Sequence, residues 1–354
     1  MEREQGVVSV STRAIDVGYF NVKGTLGQSS TDEISCFCFP ALAPQINQDK
    51  QLTSSGTSDG DGCLVKIDGI TYFVGKDVVL NSSGHESRPV MDDYSVSAKY
   101  LALLRGALHY MAVDAGATKE LTIDHLVLGL PLNTYKVYKD QLHARATGEH
   151  LIGPAKGSPG VRRVIVKNVH IIVQPQGAMV NCGLQSTSAN DGWTLVVDPG
   201  GGTLDWFVTI GKTPNWQRSG AYPRSMLACA YAVADMINPK WRNQFELVER
   251  IDKAIRTKAV SFRAAGKEYR MENYQYAVDQ VLEDAIKNML QSVGPTDNLD
   301  TIIFTGGGAA VFYDYFTRHY PELVSRIVID KDPVYSNVRG FHIVGEYLNH
   351  SHGV

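Results

Sequence analysis

Two glycine-tipped segments, "AIDVGYFNVKGTLG" (Ala14–Gly27) and "VVDPGGGTLDWFVTIG" (Val196–Gly211), follow one plan. In each, an apolar run ends in an aspartate, a glycine follows two places on, and the chain returns through further apolar residues. Asp16 and Asp198, Gly18 and Gly200, Asn21 and Thr203, and Lys23 and Asp205 are all separated by the same 182 positions. One register held through four positions predicts a duplicated unit, each copy presenting one β-hairpin to a shared cleft.

The tips of such hairpins have a definite chemistry. Glycine lets the backbone turn tightly and exposes N–H groups that converge on anionic oxygens without a cation for each one. Two hairpins on opposite walls would grip a polyphosphate from both sides, with Asp16 and Asp198 facing the metal and water that accompany it. Mg²⁺ keeps several waters and is held through one or two carboxylates plus phosphate oxygens, so a pair of acids suits it. Lys23, seven residues after Asp16, supplies a point charge for the phosphates. Against this stands an ordinary explanation: Asp often ends a strand as a turn-former. A third glycine-rich turn, "FTGGGAAVF" (Phe304–Phe312), follows a short apolar run and opens a helix, which aims helix-end donors at a ligand.

Elsewhere, "ISCFCFP" and "LVKIDGITYFVG" read as strands and "YSVSAKYLALLRGALHYMAV" as a helix. Between Ala43 and Gly62 the chain turns to Gln, Ser, Asp, Gly and Asn, which predicts a mobile surface loop. "HLVLGLPLNTYKVYKDQLHA" predicts a buried strand, a turn and a helix, and "VKNVHIIVQPQGAMVNCGL" a strand leading through Gln174 and Pro175 into a helix. The second half predicts a hairpin over 193–210, a helix over 225–237, a long charged helical region over 243–292, and the strand "TIIFTGGG". The fold class is α/β.

With 354 residues, 44% of them hydrophobic, the chain can bury about two domains. A formal charge of −3 offers no basic groove, so direct nucleic-acid binding is not expected. Five scattered cysteines fit reduced thiols in a cytoplasmic protein. No apolar run approaches the roughly 18 residues of a membrane span, so no membrane partner is expected. The ten histidines lack metal spacing.

Taken together, these motifs resemble the actin, sugar kinase and heat-shock chaperone ATPase superfamily. "IDVGYFNVKG" is similar to its first phosphate motif, "VVDPGGGTLD" to its second, "IIFTGGGAAV" to its adenosine motif and "VQPQGAM" to its first connecting segment. "TYFVGKD", "LGLPLNTYKVYKDQL" and "DPVYSNVRGFHIVG" look most like the plasmid-segregation actins of the ParM/StbA type. The resemblance implies two ribonuclease-H-like domains with a nucleotide cleft between them: residues 1–176 with 338–354 returning, and residues 177–337. It implies ATP or GTP with Mg²⁺ as cofactors, Asp16 holding the hydrated Mg²⁺, and Gly18, Asn21 and Lys23 at the phosphates. Asp198 would orient or deprotonate the attacking water, Gly200, Gly201, Gly202 and Thr203 would cradle the γ-phosphate, and Gly306, Gly307 and Gly308 would face base and ribose. Gln174, with Gln176 as the alternative, falls where a water-orienting residue belongs. Glu249 or Lys253 is a candidate ribose contact.

The implied activity is a Mg-dependent NTPase that assembles into filaments with itself and engages a DNA-bound adaptor to drive segregation. Three other readings of the same fold stay open. A small-molecule kinase would need a catalytic acid and sugar contacts in the first domain, for which no motif stands out. A chaperone-like ATPase would need a substrate domain, and a non-polymerising adaptor would need no assembly surface.

Overall fold

The structure, a computed structural model, describes residues 6–28, 33–46, 60–84, 90–153, 160–183 and 192–351. In the first half, β1 (Val7–Val17) turns at Gly18 into antiparallel β2 (Asn21–Gln28), which pairs with β3 (Ile34–Pro40). β4 (Cys63–Ile67) and β5 (Ile70–Val74) form a separate hairpin. Its turn residues Asp68 and Gly69 both have positive φ, 49° and 83°, which an Asp-Gly pair tolerates. α1 (Ala98–Asp114) starts at Ser97, whose hydroxyl accepts the Tyr100 N–H. β6 (Glu120–Leu130), α2 (Leu132–Ala146), β7 (Gly148–Ile152), β8 (Arg162–Val173) and α3 (Gln174–Gly183) follow. Of the polar stretch expected as a mobile loop, Ala43 is buried and Gln45 bridges to Tyr72; residues 47–59 lie outside the described residues.

The second half begins with the hairpin β9 (Trp193–Pro199) and β10 (Leu204–Ile210), extended by β11 (Thr213–Pro214) and β12 (Gly220–Tyr222). α4 (Met226–Ile237) and α5 (Phe245–Arg256) come next. The long helical region expected over 243–292 is instead broken by a hairpin, β13 (Ser261–Ala264) and β14 (Lys267–Arg270), before α6 (Gln275–Val293). Ala265 and Gly266 turn it with φ of 46° and 75°. The two-residue turn fixes a register that buries Phe262 and Ala264. β15 (Thr301–Phe304), α7 (Ala309–His319), β16 (Ile327–Ile329) and α8 (Ser336–Ser351) complete the chain.

The two halves repeat one topology. The first sheet runs β3-β2-β1-β6-β8-β7 and the second β11-β10-β9-β15-β16. In each, two antiparallel neighbours flank the acid-bearing strand on one side, and two parallel strands continue on the other. The helix that leaves each last parallel strand, α3 or α8, lies between the sheets. α8 packs Val338 and Phe341 on Ala14 and Val127 of the first sheet, and α3 packs Ala178 and Cys182 on Val196, Phe207 and Ile303 of the second. The C-terminal helix thus returns to the first sheet. α3 and α8 cross where a Cβ on Gly340 would fall 1.8 Å from the Gly177 carbonyl oxygen. Only paired glycines permit that approach.

Apolar contacts join the halves, those of Phe20 and Phe245 among them. Phe20, from the first hairpin tip, is 9% exposed and sits in the second half's core with Leu204, Trp206 and Met226. Phe245, from α5, is buried against Leu42, Phe73 and Val78. Among the described residues, no helix is long and apolar enough to cross a membrane.

Candidate functional site

The duplicated hairpins match down to single hydrogen bonds. In the first, the Gly18 N–H donates to the Asn21 carbonyl at 3.1 Å, and Asp16 pairs across the strands with Lys23. In the second, the Gly200 N–H donates to the Thr203 carbonyl at 2.9 Å, and Asp198 pairs with Asp205. Both acids sit where an interior strand of the sheet ends at the cleft, so the 182-residue offset is a structural repeat. The tips also meet: a Cβ on Gly201 would lie 2.7 Å from the Phe20 Cβ, and one on Gly202 would lie 2.6 Å from the Tyr19 ring. Glycine at both positions is what lets the hairpins close on each other.

Asp16, 2% exposed, is gripped by two donors: Lys23 Nζ at 2.9 Å from Oδ2 and Gln174 Nε2 at 2.8 Å from Oδ1. A carboxylate only accepts, so the Gln174 amide nitrogen faces Asp16 and its Oε1 is left as an acceptor. Burial pulls the Lys23 pKa down, but the charge and hydrogen bond of Asp16 win and the pKa is raised. Asp198 is pushed up to about 6, by burial first and then by Asp16, against the lowering effect of Lys23 and Asn337. Asp205 is pushed up to about 7 by burial and by the charges of Asp198 and Asp16, although the Thr203 hydroxyl donates to it at 2.6 Å and the Leu132 N–H at 3.2 Å. The cleft wall therefore carries four buried acids, Asp16, Asp198, Asp205 and Asp252, against Lys23 and Arg256, a set in which acid outnumbers base and which calls for further positive charge.

Of the residues singled out in the sequence, Asp16, Gly18, Asn21, Lys23, Gln174, Asp198, Gly200, Gly201, Gly202, Thr203 and Gly307 line this one cleft. Gln174 lines it and Gln176 does not. Gly306 and Gly308 stand behind it, not on its wall. A Cβ on Gly306 (φ 78°) would fall 2.0 Å from Asp198 Oδ1, and one on Gly308 would meet Met226 and the Pro199 carbonyl oxygen, whereas Gly307 has open space before it. Their small size lets the turn pack on the end of β9. Glu249 and Lys253 are not on the wall either; Asp252 and Arg256, one helical step away on α5, are, joined by a 2.6 Å ion pair.

Sequence reading missed several groups here. Asn337, on the first turn of α8, donates its Nδ2 to Asp198 Oδ2 at 2.5 Å across 139 residues of sequence. Tyr19 stacks on Tyr94 (4.7 Å between ring centres, 22°) and donates to the Met91 carbonyl, roofing one end of the cleft. No periodicity or spacing connects such pairs; only Asp205 carried a signal, as the partner of Lys23 in the repeat.

The residues fit a Mg-nucleotide. Among the described residues, no group of three or more His, Cys, Asp or Glu is arranged to hold a metal ion by itself. A divalent cation here would need the ligand's own oxygens, as Mg²⁺ on a polyphosphate does. Asp16 beside Lys23, the glycine tips and the open Gly307 turn supply the protein's share.

A two-layered pair of like-folded α/β units with acid-bearing hairpins facing one cleft defines an actin-like architecture. Residues 14–177 match the family model for the N-terminal domain of actin-like proteins, and residues 196–318 match that for the C-terminal domain of MreB-like archaeal actin homologues. The two matches together span most of the sequence, and the chain belongs to the actin-like proteins. No curated protein matches it. Solved structures do. The actin-like protein Alp7A aligns with a TM-score of 0.73 at 15% identity, over 98% of this chain and 98% of its own. An archaeal actin homologue in complex with ADP aligns at 0.71 and 19%, over 96% and 100%. A subunit of a 15-stranded ParM filament from Clostridium botulinum aligns at 0.71 and 19%, over 95% and 99%. At these identities the likeness establishes the fold.

Proposed function

We propose that this chain is a Mg-dependent nucleoside triphosphatase, using ATP or GTP, that polymerises into filaments with itself and moves DNA through a DNA-bound adaptor. The observation that carries this reading is the pair of matching hairpins, whose glycine tips and buried acids face one cleft. The ADP bound by the archaeal homologue and the filament formed by ParM support it as analogies.

In this reading Gly18, Asn21, Lys23, Gly200, Gly201, Gly202 and Thr203 hold the phosphates, and Gly307 borders the base and ribose. Asp16 holds the hydrated Mg²⁺, which when bound neutralises charge on the phosphates. Asp198 receives a proton of the attacking water as the new P–O bond forms and the bond to the leaving diphosphate oxygen breaks. Its raised pKa suits a base near neutral pH. The Gln174 Oε1 accepts the water's other proton as a hydrogen bond. Glutamine cannot take that proton away, so this arrangement fits slow turnover. Positioning and charge neutralisation dominate phosphoryl transfer, and this small set suffices.

Light scattering and negative-stain microscopy with Mg-ATP, Mg-GTP and no nucleotide, alongside phosphate release, test the reading. Filaments that appear above a critical concentration only with a nucleotide support it. A monodisperse monomer at saturating nucleotide overturns the assembly claim, and phosphorylation of a small molecule in its place favours the kinase.

A further inference from the structure

Two neighbours set the surroundings of the Asp198 carboxylate. A Cβ on Gly306 would sit 2.0 Å from Asp198 Oδ1, and Asn337 Nδ2 donates to Oδ2 at 2.5 Å. A hydrogen bond to an ionised acceptor is of the stronger kind. Asn337 is 4% exposed, lines the cleft, and its Oδ1 has no partner among the described residues. A buried amide that leaves an acceptor unsatisfied is costly as structure alone, so its place beside Asp198 calls for a reason. The amide also hangs from the point where the two halves join. Its own backbone carbonyl lies where a Cβ on Gly177 would be 2.4 Å away, at the α3–α8 crossing, and the Pro333 carbonyl four residues earlier accepts the Gly306 N–H at 2.8 Å.

We propose that Asn337 is a positioning residue for hydrolysis, fixing the Asp198 carboxylate for the attacking water and tying its orientation to the α3–α8 crossing. The inference rests on the reading of Asp198 as the group that takes the water's proton. Asn337 itself neither gains nor loses a proton. It selects one rotamer of Asp198, with the amide anchoring Oδ2 while Gly306, having no side chain, leaves Oδ1 room to face the water. A rotation of one half against the other moves the helix that carries the amide, so domain closure and readiness for hydrolysis become one event.

The test compares Asn337→Leu, close to asparagine in shape but without the donor, and Asn337→Ala, which removes the amide without adding a charge beside Asp198, with Asp198→Ala and the double variant D198A/N337L. On each full-length chain, phosphate release in a single turnover with Mg-ATP and the dissociation constant of a fluorescent ATP analogue are measured. The expected result is a fall in turnover of about 10- to 100-fold in both Asn337 variants. The dissociation constant should change by no more than about twofold, and N337L should slow D198A no further. Turnover and affinity falling by the same factor would make Asn337 part of the binding framework and overturn the proposal. If D198A is slow but both Asn337 variants run at the wild-type rate, this inference alone fails. If D198A itself runs at the wild-type rate, the reading of Asp198 fails and takes this one with it. Should N337L not fold, N337A carries the same comparison.

Discussion

Asp198 and Asp205 face each other across a β-ladder, 5% and 2% exposed, with pKa values of about 6 and 7 against an ordinary 3.8. An acid whose pKa is higher folded than unfolded binds its proton more tightly in the fold. Stability from such a group is gained as pH falls through the folded value and is complete near the unfolded one. The nucleotide-free protein should therefore melt higher at pH 5.5 than at pH 7.5, by about 1–2 °C for each kcal/mol involved. Asp205→Asn should raise the melting temperature at pH 7.5 and flatten the profile. Scanning fluorimetry across pH on both proteins decides it, and a wild-type melting temperature that drops from pH 7.5 to 6 would contradict the burial argument. The aspartates themselves were legible in the sequence, because a glycine two places after an acid has few other uses when it recurs at one fixed offset. Asn337 was not legible: nothing in a linear pattern marks a side chain that reaches 139 residues back to its partner.

At the scale of elements, the crossing of α3 and α8 is the tightest joint. Gly340→Ala would place a methyl 1.8 Å from the Gly177 carbonyl oxygen, and the obstacle is helix backbone, which has no rotamer to give. The expected cost is about 1–3 kcal/mol, the usual range for overpacking. Gly307→Ala, which meets nothing within 4 Å, is the matched control. Urea denaturation of both variants checks it; equal stabilities would mean that the helices slide apart freely. The helices were themselves readable from apolar spacing, as were the paired hairpins and the strand before the Gly-Gly-Gly turn. The hairpin over Ser261–Arg270 was not, because its charged residues continue the pattern of α5 and only Phe262, Ala264 and the Ala265–Gly266 turn break it. Burial of Phe262 in the second half's core, with its cross-strand partner Tyr269 stacked on it, decides between the two conformations.

For the whole molecule, the repeat of strand order is what the 182-residue offset foretold, and the cleft between the halves is its consequence. An assembly face has no comparable mark in the sequence. Large exposed apolar side chains such as Leu80, Val260, Tyr276 and Tyr347 lie on separate elements of both halves, and periodicity assigns each to a surface without naming a partner. Assembly is better tested through chemistry. If Asp198 serves the water and the glycine tips with Lys23 serve the phosphates, Asp198→Ala should keep nucleotide affinity and filament growth while turnover falls about 10²–10⁴-fold. On the proposed function, in which wild-type subunits leave after hydrolysis, its filaments should then outlast those of the wild type. Asp16→Asn should act at an earlier step and weaken Mg-nucleotide binding, since it removes the charge that Lys23 and Gln174 hold in place. Fluorescent-nucleotide titration, phosphate release and light-scattering decay on the two variants separate these effects. Equal loss of binding in both variants, or Asp198→Ala filaments that decay at the wild-type rate, would refute the division of labour between the two hairpins.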